Sequence, residues 1–174
     1  MRAFAAVLAG LFVLPVCAQA QLELGFDAGI YVEALDVTDA DNITTVSVPV
    51  PMARVGYMAT DMIGVEVLAT LQRISSGESS FTELMLLPGV IVALGESGFY
   101  ARGEGGFLRL SDEDDSETQY AAGIGLGVKK SIEGGPASVR VEAAYDKWFE
   151  DEEAFIPGSD EFRFLVGLSV LVGG

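Results

Sequence analysis

The sequence predicts an all-β chain, an eight-stranded antiparallel up-and-down transmembrane β-barrel. Three observations carry this. From residue 21 the chain alternates strictly: Leu22, Leu24, Phe26, Ala28, Ile30 and Val32 share one face, and Glu23, Gly25, Asp27, Gly29, Tyr31 and Glu33 the other. Seven further segments repeat the pattern, with an apolar face throughout and an opposite face carrying Glu, Asp, Arg, Lys and Gly. The connections alternate between tight turns and longer polar stretches, the rhythm of a membrane barrel.

The stretch before the first strand reads as a cleaved secretory signal peptide, residues 1–20. Arg2 precedes an apolar run, and Ala18-Gln19-Ala20 puts small residues where a signal peptidase cuts. The barrel domain is then residues 21–174. The one cysteine, Cys17, lies in the signal, and Val16 before it does not suit a lipidation site, so no thiol chemistry is expected in the mature chain.

The strands are placed in order. The first covers 21–33 and the second 44–59, where Val46, Val48 and Val50 lead the apolar face before Ala53, Val55, Tyr57 and Ala59 take over. That parity slip predicts one bulge near Met52. Pro49 and Pro51 in this segment, and Pro88 in the fourth, cannot donate to a ladder, and a closed barrel offers no free edge for them. The third strand is 63–73, with Ile63, Val65, Val67, Ala69 and Leu71 on its apolar face. The fourth is 82–94, the fifth 99–110, the sixth 119–132, the seventh 137–149 and the eighth 161–172, where Phe162, Phe164, Val166, Leu168, Val170 and Val172 line one face.

Tight turns are predicted at 60–62, 95–98 and 133–136, and long connections at 34–43, 74–81, 111–118 and 150–160. Short turns on one rim and long loops on the other match outer-membrane barrels, whose turns are periplasmic. The acids concentrate in the long loops: Asp36, Asp39, Asp41, Glu78, Asp112, Glu113, Asp114, Asp115, Glu117, Glu150, Asp151, Glu152, Glu153 and Asp160. Aromatics gather near both ends, with Tyr57, Phe99 and Tyr100 by the turns and Tyr31, Phe81, Phe107, Tyr120, Tyr145, Trp148, Phe149 and Phe162 by the loops, a pair of interface girdles.

With the apolar face turned to lipid, the lumen collects Tyr31 and a charged set: Glu23, Asp27, Arg54, Glu66, Arg102, Glu104, Lys129, Arg140, Glu142, Asp146 and Arg163. Eight strands enclose a space that side chains fill, and charges there must pair. Gly25, Gly29, Gly64, Gly106, Gly123, Gly125, Gly127 and Gly167 leave room for them.

The opening LELGFDAGIYVE resembles the small outer-membrane β-barrel domain family. So do Ala53-Arg54-Val55-Gly56-Tyr57 running through Thr60-Asp61 into Ile63-Gly64-Val65-Glu66, and the closing amphipathic strand. That family holds the eight-stranded adhesion and invasion proteins and the transmembrane part of OmpA-type proteins. The resemblance spans residues 21–174 and implies an outer-membrane location, without shared catalytic residues. Members finish on an aromatic that the outer-membrane assembly machinery reads, whereas this chain ends Leu171-Val172-Gly173-Gly174.

The net charge of −16 argues against nucleic acid as a partner. With no histidine, a Ser-His-Asp or Cys-His device cannot form. No phosphate-binding motif occurs either, since Gly123, Gly125 and Gly127 sit in a strand pattern, and no cofactor is expected. Carboxylate-only catalysis by a pair such as Glu66 and Glu104 yields to salt-bridging as their expected role. The chain reads as a non-enzymatic surface-interaction or structural barrel, with outer-membrane lipid as its surroundings and divalent cations as candidates at the acidic loops. Two alternatives stand beside it: a small-solute pore or carrier, and a soluble periplasmic lipocalin-like barrel that turns its apolar face inward around a ligand.

Overall fold

The computed structural model describes residues 21–35, 43–76, 79–112, 115–149 and 158–172. The residues assigned to the signal peptide, most of the loop acids and Gly173-Gly174 lie outside them.

Eight strands follow one another: β1 (Gln21–Leu35), β2 (Ile43–Met58), β3 (Ile63–Ser76), β4 (Ser79–Ala93), β5 (Phe99–Ser111), β6 (Ser116–Ser131), β7 (Ala137–Trp148) and β8 (Ser159–Val172). Each pairs antiparallel with its neighbour in sequence, and β1 pairs with β8 from Leu22↔Val172 to Leu35↔Ser159, closing the barrel. At 12 to 16 residues the strands exceed the roughly ten needed to cross a bilayer, so they project beyond it.

The alternation sets the two faces. Phe26, Ile124, Leu126, Phe164, Val166 and Leu168 stand exposed on the outside, while Asp27, Arg54, Glu142, Asp146 and Arg163 are buried inside. The soluble barrel with an apolar interior is thereby overturned: water could not cover this outer surface favourably, and lipid does.

The three tight turns form at the rim that also holds Gln21 and Val172. In the β2–β3 turn the Thr60 hydroxyl accepts the amides of Met62 and Ile63 at 3.2 and 2.9 Å. In the other two, Gly95, Gly98 and Gly134 take φ near +80°, where a Cβ would be strained. At the opposite rim the expected long connections 74–81 and 111–118 are shorter. The β3–β4 ladder runs on to Ser76↔Ser79 and the β5–β6 ladder to Ser111↔Ser116. Hydrophobic alternation stops at the lipid boundary, but backbone pairing continues into water through serines.

The bulge lies in β2 but not at Met52. Gly29↔Val50 is followed by Tyr31↔Ser47, so β2 spends three residues where β1 spends two, and the extra residue falls at Val48–Pro49. Val50 consequently packs against the interior rather than facing lipid. Pro88 points outward, and the β4–β5 pairing passes over it, from Leu86↔Phe107 to Gly89↔Glu104 without loss of register.

The prolines of β2 have an edge after all. Among the described residues, β2 and β3 pair only from Ala53↔Ala69 to Met58↔Gly64, while β3 continues its ladder with β4 to Ser76. The barrel wall therefore opens as a seam between β2 and β3 on the loop side. Pro51 turns its carbonyl into this seam, where the Thr70 hydroxyl donates to it at 3.1 Å. The N and O of one strand residue point the same way, so Pro51 also removes a donor that would otherwise face the seam unpaired.

Candidate functional site: the charged lumen

Alternate residues of every strand enter a narrow lumen, and long charged side chains fill it. Of the eleven charged residues expected there, ten are buried; Lys129, at the turn rim, is partly exposed.

The largest connected group spans β3, β5, β7 and β8. Arg140 of β7 reaches Glu66 of β3 through two parallel bonds, Nη1 to Oε2 at 2.7 Å and Nη2 to Oε1 at 2.8 Å, and it also pairs with Glu142. Arg102 of β5 meets Glu66 at 3.1 Å and Glu142 at 3.2 Å, and pairs with Glu104. Arg163 of β8 shares the same Glu104 Oε1 with Arg102, holds Asp146 at 2.6 Å and lies 3.6 Å from Glu161. Two smaller pairs complete the set: Glu23 with Lys129, and Asp27 with Arg54 at 3.3 Å, an ion pair without an aligned hydrogen bond. Each arginine of the main group is shared between at least two carboxylates, which offsets the cost of taking so many charges out of water.

Tyr100 belongs to this network. Its hydroxyl donates to Glu142 at 2.6 Å, and the Arg140 guanidinium stacks 4.5 Å from its ring centroid. The sequence puts Tyr100 in the turn-side girdle and Trp148 in the loop-side one, and it puts Tyr31 both in the loop-side girdle and on the lumen face. All three point inward and are buried, because each shares the parity of its strand's lumen residues: Tyr100 with Arg102, Tyr31 with Asp27, Trp148 with Asp146. Phe99, Tyr120, Phe149 and Phe162 do stand exposed on the outside.

Two features escaped the sequence reading. Glu161 is buried beside Arg163, and parity with Arg163 was the available signal. On the β2–β4 side and toward the loops the lumen turns apolar, with Met52, Leu68, Met85, Leu87 and Leu165 packed against Tyr31, Ala121 and Trp148. This apolar plug abuts the β2–β3 seam, since Met52 directly precedes the last paired residue of β2.

Glu66 and Glu104, the carboxylates considered for catalysis, are each held by two arginines. At the loop rim, Asp112 and Asp115 build a turn: Asp112 Oδ1 accepts the Asp115 amide at 2.7 Å and Asp115 Oδ1 the Ser116 amide at 2.8 Å. Among the described residues no group of three or more acids is arranged to hold a metal ion.

Neither a protein-family model nor a curated protein matches the sequence. Solved structures do. The chain is similar to Neisserial surface protein A, with a TM-score of 0.61 at 14% identity over 87% of this chain and 97% of that one. It is similar also to the outer membrane protein AlkL, solved in DMPC lipid bilayers, with a TM-score of 0.62 at 12% identity over 90% and 92%. The fold is that of the small eight-stranded outer-membrane barrels, and the apolar outer surface belongs in that membrane.

Proposed function

We propose that this eight-stranded outer-membrane barrel is a non-enzymatic, non-conducting protein of structural or surface-interaction role, whose working surface is its outer rim. The observation that carries this reading is the lumen: Arg54, Arg102 and Arg163 are all at most 2% exposed, and the Arg140–Glu66 and Arg163–Glu104 pairs join strands on different sides of it. A path for solute would have to break several of these pairs together. The rim above them is acidic, with Asp112, Asp115 and Glu117 among the described residues and most of the other loop acids beyond them. Such a rim attracts divalent cations and basic surfaces and repels nucleic acid.

Single-channel recording in planar lipid bilayers tests this. Purified barrel in 1 M KCl is expected to give no reproducible conductance steps, while protein on intact cells binds labelled cationic peptide in a salt-sensitive manner. Stable, uniform conductance steps would overturn the reading in favour of the small-solute pore.

A further inference from the structure

After residue 20 the chain holds nine lysines and arginines, all among the described residues. Arg54, Arg102, Lys129, Arg140 and Arg163 serve the lumen. The other four lie on the lipid-facing side, near the ends of their strands. Three of these have partners: Arg73 donates to Ser80 and Arg109 to Ser116, both at 3.1 Å, and Lys147 pairs with Asp160 at 3.2 Å. Lys130 alone makes no side-chain hydrogen bond or ion pair among the described residues, and it is exposed.

Lys130 stands next to the end of β6, at the turn rim, in an outward row with Val128 and Ile132. Beside it lies a groove of about 330 Å³ lined by Val128, Lys130, Ser131, Ile132, Val139 and Val141. Its relief follows from the register. The short valines 128, 139 and 141 form the floor. Phe99, paired with Val128, and Leu168, paired with Val139, stand up as banks on either side. In barrels of this architecture the short turns face the periplasm, so the groove opens to the inner leaflet at headgroup depth. A lysine there extends its ammonium to the interface while its stem lies on apolar surface. An apolar floor that ends at one unpaired cation complements a lipid with an anionic phosphate.

We propose that Lys130 and the β6–β7 groove form a binding site for a single anionic glycerophospholipid, its phosphate on the Lys130 ammonium and an acyl chain along Val128, Val139 and Val141. The site rests on the membrane-spanning reading.

The test is native mass spectrometry of the barrel released from detergent, titrated with phosphatidylglycerol. Two variants remove the site in different ways: Lys130→Gln takes the charge, and Val139→Trp fills the groove with a residue that lipid tolerates. The wild type is expected to retain one lipid at low concentration, and each variant to lose at least fivefold in occupancy while keeping its heat-dependent gel mobility. Arg73→Gln, at the far rim, should bind as the wild type does. Equal occupancy in wild type, Lys130→Gln and Val139→Trp would overturn the site, as would an equal loss in Arg73→Gln or displacement of the lipid by millimolar inorganic phosphate. A barrel that fails to insert into phosphatidylglycerol vesicles would overturn the membrane reading itself, an outcome separable from one that inserts but binds without preference.

Discussion

Arg140 and Glu66 face each other across the full width of the barrel, joined by two parallel bonds of 2.7 and 2.8 Å. They sit on β7 and β3, four strands apart in a ring of eight, so the pair is a strut between opposite walls. A bidentate arginine–carboxylate contact fixes orientation as well as distance. Removing one partner leaves the other buried with fewer counter-charges. Glu66→Leu should therefore destabilise the folded barrel by about 3 kcal/mol, the lower end of the range for a broken buried pair, because Arg140 keeps Glu142 and Arg102 keeps Glu104. The double variant Glu66→Leu/Arg140→Met should recover part of this loss, since no lone charge remains. Urea titration in lipid vesicles, read by gel mobility, measures both. A double variant worse than the sum of the single changes would show that the strut acts through more than this pair.

The hydroxyl end of the Tyr100 ring lies against Gly127, in space that a side chain at 127 would occupy. Its hydroxyl and ring face are already committed to Glu142 and Arg140, so it cannot swing away without loss. Gly127→Val is expected to cost about 1–3 kcal/mol through overpacking. Gly103, on the lipid side with open space where its Cβ would be, supplies the contrast. Gly103→Val should be neutral or stabilising, because a β-branched residue suits a strand better than glycine. Thermal midpoints of the heat-dependent mobility shift compare the two, and equal losses would rule out Tyr100 as the cause.

The β2–β3 seam has a dynamic consequence. Above Ala53↔Ala69, alternate amides of β2 and β3 lack a ladder partner on one side. In hydrogen exchange on barrel in lipid nanodiscs, seam-facing amides of residues 70–73 should exchange far faster than those of 64–68, which are paired on both sides. Thr70→Val removes the hydroxyl that holds the Pro51 carbonyl and should widen the difference, at a stability cost of about 1 kcal/mol. Uniform protection along β3 would mean that the seam is closed in the membrane.

Much of this was legible in the chain because the period of a strand is two: once Phe26 or Phe164 is assigned to lipid, the face of every neighbour follows. The same rule turns Tyr31 inward, and it turns Tyr100 and Trp148 inward as well, against the girdle places that their closeness to a rim suggests; aromatics suit both. The bulge was legible as a slip and not as a position. Val46 to Val50 reads as one apolar face whether the extra residue is at Val48–Pro49 or at Met52, and only pairing with Gly29 and Tyr31 decides it. The seam was hidden because pairing between strands is a long-range property, although Pro49 and Pro51 marked it. Which acid meets which arginine was equally out of reach, since Glu66 and Arg140 are 74 residues apart and meet only through closure of the ring.

Depth in the bilayer gives the most direct check on which face meets lipid. Val166 is exposed near the middle of β8, paired with Ala28 on one side and Val141 on the other, while Val172 is exposed at the strand's turn-side end. A cation on the lipid face costs most at the bilayer centre, where it cannot reach the headgroups, and little at the interface. Val166→Arg should therefore destabilise the barrel by about 2–4 kcal/mol and Val172→Arg by under about 1 kcal/mol. The same urea titration in vesicles reads both. If the wall faced water instead, both arginines would be solvated and the two variants would behave alike. A difference of a few kcal/mol between the two valines for arginine, but not for the neutral Val166→Gln and Val172→Gln, marks a solvent whose polarity changes along that strand.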